Sequence, residues 1–263
     1  MRRNRGEYMK NLKKLTILHS NDMHGDFLAE RIDERLVGGV SLLSGYVNKV
    51  RREEKNVIYA IAGDMFRGSV IDSEYKGTST IGIMNLMGPD VATIGNHDMD
   101  YGQTALRDHI KGMPGTKFVV TNLSPSPPLE NCFLPYASIP IKGTPISVGV
   151  IGLVDMQTTD ILKMDGITWK LPNETDYKGV MDRFRLHHNT INVILSHMGY
   201  DHDLKMMKYS PNIDVILGGH THVMLPKGHL RTGTLLSHTG HRLSYAGVTK
   251  IIFSTDKKPA VLS

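Results

Sequence analysis

Five short polar clusters each follow directly on an apolar or β-branched run, and this placement constrains the fold more than any other feature of the chain. They are Asp22-Met23-His24, Gly63-Asp64, Gly95-Asn96-His97-Asp98, Ser196-His197-Met198-Gly199 and Gly218-Gly219-His220-Thr221-His222. Strand candidates are Leu15–Leu18, Val57–Ala62, Val91–Ile94, Phe118–Thr121, Ile146–Ile151, Ile191–Leu195, Val215–Leu217, Thr234–Ser237 and Val248–Phe253. Most are continuous rather than alternating, as in strands buried on both faces. Helical patterns fall between them at Val40–Glu54, Thr78–Met87 with Ser79 or Thr80 as N-cap, Thr104–Lys111, Asp176–His188 and Asp201–Met207. Alternating strands and helices predict βαβ units in a layered α/β fold. In such sheets the loops at the carboxyl ends of strands converge on one crevice, so residues as distant as Asp22 and His222 can meet.

The length of 263 residues suits one large domain, read here as residues 15–263 after an N-terminal extension of residues 1–14, with Met9 as an alternative start. No apolar run approaches the roughly 20 residues of a membrane span. The apolar stretch after Lys14 is too short for a signal peptide, so the expected location is cytoplasmic. The net charge of +5 draws on Arg2, Arg3 and Arg5 near the start, which leaves little to argue for nucleic acid. Oligomeric state is not legible. A single cysteine, Cys132, excludes thiolate clusters, so any bound metal would use nitrogen and oxygen ligands.

His220 and His222 are spaced to lie on one side of an extended chain, an arrangement that suits metal ligands. Together the clusters offer two aspartates, an asparagine and four or five histidines, about what two adjacent divalent ions need when one carboxylate bridges them. Manganese, iron and zinc all suit such a set.

Asp22-x-His24, Gly63-Asp64, Gly95-Asn96-His97-Asp98, His197 and Gly219-His220-Thr221-His222, in that order, resemble the signature of the calcineurin-like metallophosphoesterases. Leu18–Gly25 and Gly95–Gly102 resemble the 5′-nucleotidase branch in particular, with the likeness running from about Leu15 to Phe253 and covering the catalytic domain only. The resemblance implies a four-layer α/β/β/α sandwich. It also implies one divalent ion on Asp22, His24, Asp64 and His222, a second on Asp64, Asn96, His197 and His220, and Asp64 as the bridge. His97, oriented by Asp100, would face the phosphate and leaving group, and Asn96 would touch substrate. The reaction implied is hydrolysis of small phosphomonoesters, nucleotides among them, by in-line attack of a hydroxide shared by the ions. Alternatives are a phosphodiesterase acting on cyclic nucleotides, a nuclease of the same superfamily, and a non-catalytic metal-dependent binding protein.

Other residues carry plainer expectations. Arg67 can grip an anionic substrate or be a solvated loop charge. Asp98 reads as a cap and His19 as support from behind the site. His109, His187, His188, His202 and His229 read as unremarkable, partly exposed residues. His238 and His241 are candidates for substrate contact, and Phe66 and Tyr101 for a base-stacking platform. Met84, Met87, Met206 and Met207 read as core, and Ser124–Pro135 as a proline-rich loop.

Overall fold

The computed structural model describes residues 12–157, 159, 161–170, 184, 190–209 and 212–254. In chain order, β1 (Leu12–Ser20) is followed by a hairpin of β2 (Glu30–Ile32) and β3 (Arg35–Val37), then α1 (Val40–Glu53), β4 (Val57–Ala62), α2 (Val70–Glu74), α3 (Thr78–Met87), β5 (Val91–Thr93), α4 (Gln103–Lys111) and β6 (Lys117–Phe118). Next come β7 (Leu123–Ser124), β8 (Ala137–Pro140), β9 (Ser147–Val154), β10 (Thr168–Trp169), β11 (Thr190–His197), α5 (Tyr200–Tyr209), β12 (Val215–Gly218), β13 (His229–Arg231), β14 (Thr234–His238) and β15 (Gly247–Ser254).

Two mixed sheets result. The first runs β15-β1-β4-β5-β6, parallel except for β15; the second runs β13-β14-β12-β11-β9-β8, with the four inner strands parallel and β8 and β13 antiparallel at the edges. Side chains sort by strand period. Leu15 and Ile17 of β1, Ile58 and Ala60 of β4, Val193 and Leu195 of β11 and Val215 and Leu217 of β12 meet in one buried cluster between the sheets. The alternate residues Tyr59 and Ile61 join Leu43, Val47 and Met84 beneath the helices of the first sheet. Ile194 and Ile216 join Met206 and Met207 of α5 outside the second. Three apolar interlayers make four layers, the α/β/β/α sandwich, and they explain the continuous apolar runs. Met84, Met87, Met206 and Met207 are all buried, as expected of core residues. No helix among the described residues is long and apolar enough to cross a membrane.

Every expected strand is present, with one informative difference. β6 ends at Phe118 because the chain then crosses between sheets: the Val119 amide donates to Ala92 of β5, while the Thr121 amide donates to Gly152 of β9. Neither Ser79 nor Thr80 caps α3. Its N-cap is Gly77 at φ 83°, and the Thr80 hydroxyl instead donates to Asp72. The helix expected over Asp176–His188 lies outside the described residues apart from Phe184, which is buried, and His187 and His188 lie outside them too. β1 begins at Leu12, with Lys14 bonding Glu54 at 2.7 Å. The sequence reading missed α2, the wholly exposed β2–β3 ribbon and the edge strand β8.

Candidate metal centre

The parallel strands of both sheets end at one rim. β1 delivers Asp22 and His24, β4 delivers Asp64, β5 leads to Asn96 and His97, β11 ends on His197, and β12 leads to His220 and His222. All five clusters therefore meet. Asp22 and Asp64 are buried, and three imidazole nitrogens point at them: His222 Nε2 is 3.3 Å and His24 Nε2 3.9 Å from Asp22 Oδ1, while His197 Nε2 is 3.1 Å from Asp64 Oδ2 and 3.9 Å from Asp22 Oδ1. Asp64 Oδ2 also lies 3.9 Å from His24 Nε2, so this carboxylate faces both halves of the cluster. Two groups have donor atoms all within 4.8 Å of one another: Asp22, His24 and His222, and Asp22, Asp64 and His197. His220 stands beside the second, its ring 5.1 Å from that of His197.

The backbone reaches these positions at a conformational cost. Asp22, His24, Asp64, His220 and His222 all have positive φ, between 48° and 78°, a region costing about 1 kcal/mol or more for a residue with a side chain. This corrects the sequence argument for His220 and His222, which follow the end of β12 and enter the site through left-handed turns rather than strand alternation. Gly95 is required for space, since a Cβ there would overlap the Asp64 carboxylate and lie 2.6 Å from His197 Nε2.

Ring orientations are fixed from behind. His197 Nδ1–H donates to the Ala62 carbonyl at 2.8 Å and His24 Nδ1–H to the Arg67 carbonyl at 3.0 Å, leaving each Nε2 turned inward toward the carboxylates. His97 Nδ1 pairs with Asp100 Oδ2 at 2.8 Å, and the His97 ring lies 5.5 Å from that of His24. Asn21 ties Asp22 to the loop before β15, donating to Asp22 Oδ2 and the Gly240 carbonyl and accepting from Thr239.

Asp98 does more than cap a turn. Fully buried, it accepts the backbone N–H groups of Asp64, Phe66 and Gly95 at 3.1, 3.0 and 2.8 Å, holding together the two loops that present Asp64 and Asn96. Burial and the neighbouring Asp64 charge raise its carboxyl to about 7, against the pull of those donors. Asp155, just past β9, was also missed; it is buried and acts electrostatically on His220. Its position after a strand was the available signal.

Several plainer expectations change. His109 is buried, with Nε2–H donating to the Lys76 carbonyl. Phe66 is fully buried and cannot stack a base, while Tyr101 is partly exposed. His238 is buried and bonds Asp203 at 2.7 Å, and Asp203 also accepts from Ser196, so His238 braces the end of β11 rather than facing substrate. His241 stacks on His222 at 4.6 Å, at the site's rim. His19 is buried in β1 and bonds Ser237.

Electrostatics mark the pocket as a cation receptor. Burial is the largest influence on the Asp22 and Asp64 carboxyls and would raise them, yet the surrounding partners together outweigh it and hold both below their usual values: His197 with His222 and Asn21 at Asp22, His197 with His24 at Asp64. Conversely, burial disfavours a charged His197, but Asp64 and Asp22 overcome this and lift it to about 10. In His24 and His220 burial prevails and the values fall. The donor set fits divalent metal. Asn96 Oδ1 is buried without a hydrogen bond among the described residues, and the buried His197 Nε2 faces the Asp64 carboxylate at 3.1 Å. Two buried carboxylates this close demand a positive charge between them; His197 supplies it by holding its own proton, and a divalent ion would take that place.

Two stacked mixed sheets with a carboxylate–histidine cluster at their common rim define a protein of the metallophosphoesterase fold. The chain belongs to the calcineurin-like phosphoesterase family, whose profile matches residues 15–224. It is 30% identical over 231 residues to a 5′-nucleotidase of Rattus norvegicus, covering 82% of this chain and 39% of that one. Among solved structures it is similar to a 5′-nucleotidase precursor from Thermus thermophilus (TM-score 0.81, 24% identity, 95% of this chain and 53% of that one) and to a calcineurin-like phosphoesterase from Bacillus subtilis (TM-score 0.76, 20% identity, 96% and 93%). The chain thus spans about two-fifths of the rat relative's length.

Proposed function

We propose that this chain hydrolyses small phosphomonoesters, nucleotides among them, at a two-metal centre, with residues 15–263 as one catalytic unit in the cytoplasm. The observation carrying this reading is the pair of buried carboxylates, Asp22 and Asp64, ringed by inward-facing nitrogens of His24, His197 and His222. Asp22, His24, Asp64 and His222 would hold one ion, and Asp64, Asn96, His197 and His220 the other; manganese, iron or zinc suits these donors. When bound, two such ions offset phosphate charge and supply a nucleophile at neutral pH.

The chain's own residues do the rest. Asp64 faces both halves and joins them. His97 would contact the phosphoryl group and hand a proton to the departing oxygen from Nε2, a reading supported by Asp100 holding Nδ1. The test is phosphatase assay of metal-stripped protein with each divalent ion restored, alongside metal analysis. Monoester hydrolysis that returns with bound metal supports the reading; hydrolysis of diesters or cyclic nucleotides alone overturns it in favour of a phosphodiesterase, and bound metal with no hydrolysis of any of these in favour of a binding role.

A further inference from the structure

Asp100 is a junction rather than a simple partner for His97. Its Oδ2 takes His97 Nδ1 and one Arg67 Nη, each at 2.8 Å, and its Oδ1 takes Lys163 Nζ at 3.3 Å. Two cations thus share one carboxylate beside the imidazole assigned to the leaving group. Both retain free capacity: a guanidinium carries five N–H donors and an ammonium three, whereas among the described residues each side chain bonds Asp100 alone. The Arg67 side chain is 49% exposed and that of Lys163 27%. The other nearby carboxylate, Asp72, is buried and already accepts the Arg67 amide, the Tyr101 hydroxyl and the Thr80 hydroxyl. Among the described residues it makes no bond to the guanidinium itself.

Next to this junction lies an open cleft of about 480 Å³ lined by Tyr101, Gln103, Pro128, Lys163 and Asp165, a volume within the range of small-molecule sites. Lys163 belongs to both junction and cleft. Asp165 would repel an anion from its own stretch of wall, so an acidic group entering here is drawn to Lys163, which shares the Asp100 carboxylate with Arg67.

We propose that Arg67 and Lys163 form a receptor for a second acidic group carried by the leaving alcohol. The favoured substrates are then phosphomonoesters whose alcohol bears a phosphate or carboxylate several bonds from the scissile oxygen. The spacing follows from the structure, because the cations stand one carboxylate beyond the His97 ring. Arg67 presents the planar fork suited to such groups, and Asp100 pre-orders it. This inference rests on the hydrolytic reading above.

The test compares kcat/KM for two matched pairs on metal-loaded protein: 3-phosphoglycerate against glycerol 3-phosphate, and a nucleoside 3′,5′-bisphosphate against the 5′-monophosphate. The first pair reports a carboxylate and the second a phosphate. Preference for the doubly acidic member in at least one pair is expected, falling roughly tenfold in Arg67→Gln and in Lys163→Gln, the scale of one charge-assisted hydrogen bond. Each substitution also disturbs Asp100, but that lowers both members of a pair alike, and the ratio isolates the receptor. Turnover of all four esters without preference, or a ratio unmoved by both substitutions, overturns the inference and leaves the hydrolase reading intact. No turnover of any of these four monoesters tells instead against the monoester reading on which the inference rests, and diesters and cyclic nucleotides then decide whether the chain is a hydrolase.

Discussion

Asp98 reaches across thirty-four residues of chain to accept the Asp64 amide at 3.1 Å, so a side chain outside the candidate ligand set fixes the backbone of the carboxylate that faces both halves of the site. Asp98→Ala should leave the N–H groups of Asp64, Phe66 and Gly95 buried without a partner. At about 1–3 kcal/mol for each such group, the loss should be on the order of 3 kcal/mol or more in chemical denaturation. Asp98→Asn, which keeps one acceptor oxygen, should lose less. Equal stability of Asp98→Ala and the native chain would refute the bracing role.

His97→Ala should retain bound metal while kcat falls about a hundredfold or more, the usual scale for a lost transition-state contact. Metal analysis and steady-state kinetics on the same sample separate the two effects. A metal-replete variant with full turnover contradicts the role given to His97.

Asp64→Asn keeps a side chain tolerant of left-handed backbone but removes the negative charge shared by both halves of the site. Bound metal should drop sharply, with little change in far-ultraviolet circular dichroism. Undiminished metal content in the purified variant would show that Asp64 is not the joining ligand.

Acid should destabilise the fold through His19. Burial, aided by the nearby His238, lowers its imidazole to about 3 from an ordinary 6.5, so the folded state holds it neutral. Its contribution is complete above pH 6.5 and is lost as pH falls toward 3, because only the unfolded chain takes up the proton. The slope should be about 1.4 kcal/mol per pH unit from this group, and stability curves of His19→Gln should be flatter by that amount across the window. Parallel curves for the two proteins would exclude the effect.

Much of this architecture was legible because both faces of most inner strands are buried, which turns strands such as Val57–Ala62 and Ile191–Leu195 into continuous apolar runs. The clusters could be assigned to one rim because parallel strands place their carboxyl ends together. Features that depend on long-range contacts were hidden. Nothing local marks Asp98 as the acceptor of three amides or pairs His238 with Asp203, and Phe66 looks available until the layer of His109 and Gly77 closes over it. The edge strand β8 ends on Pro140, a residue that argues against a strand except at a sheet margin.

Five candidate ligands sit in backbone turns that glycine or asparagine would occupy more comfortably. A search for heat-resistant variants would therefore be drawn to these loops first, and relaxing Asp22, His24, Asp64, His220 or His222 to glycine would trade a donor atom for calmer geometry. Attempts to toughen this protein are better aimed at the exposed β2–β3 ribbon, where a gain in rigidity takes nothing from the rim.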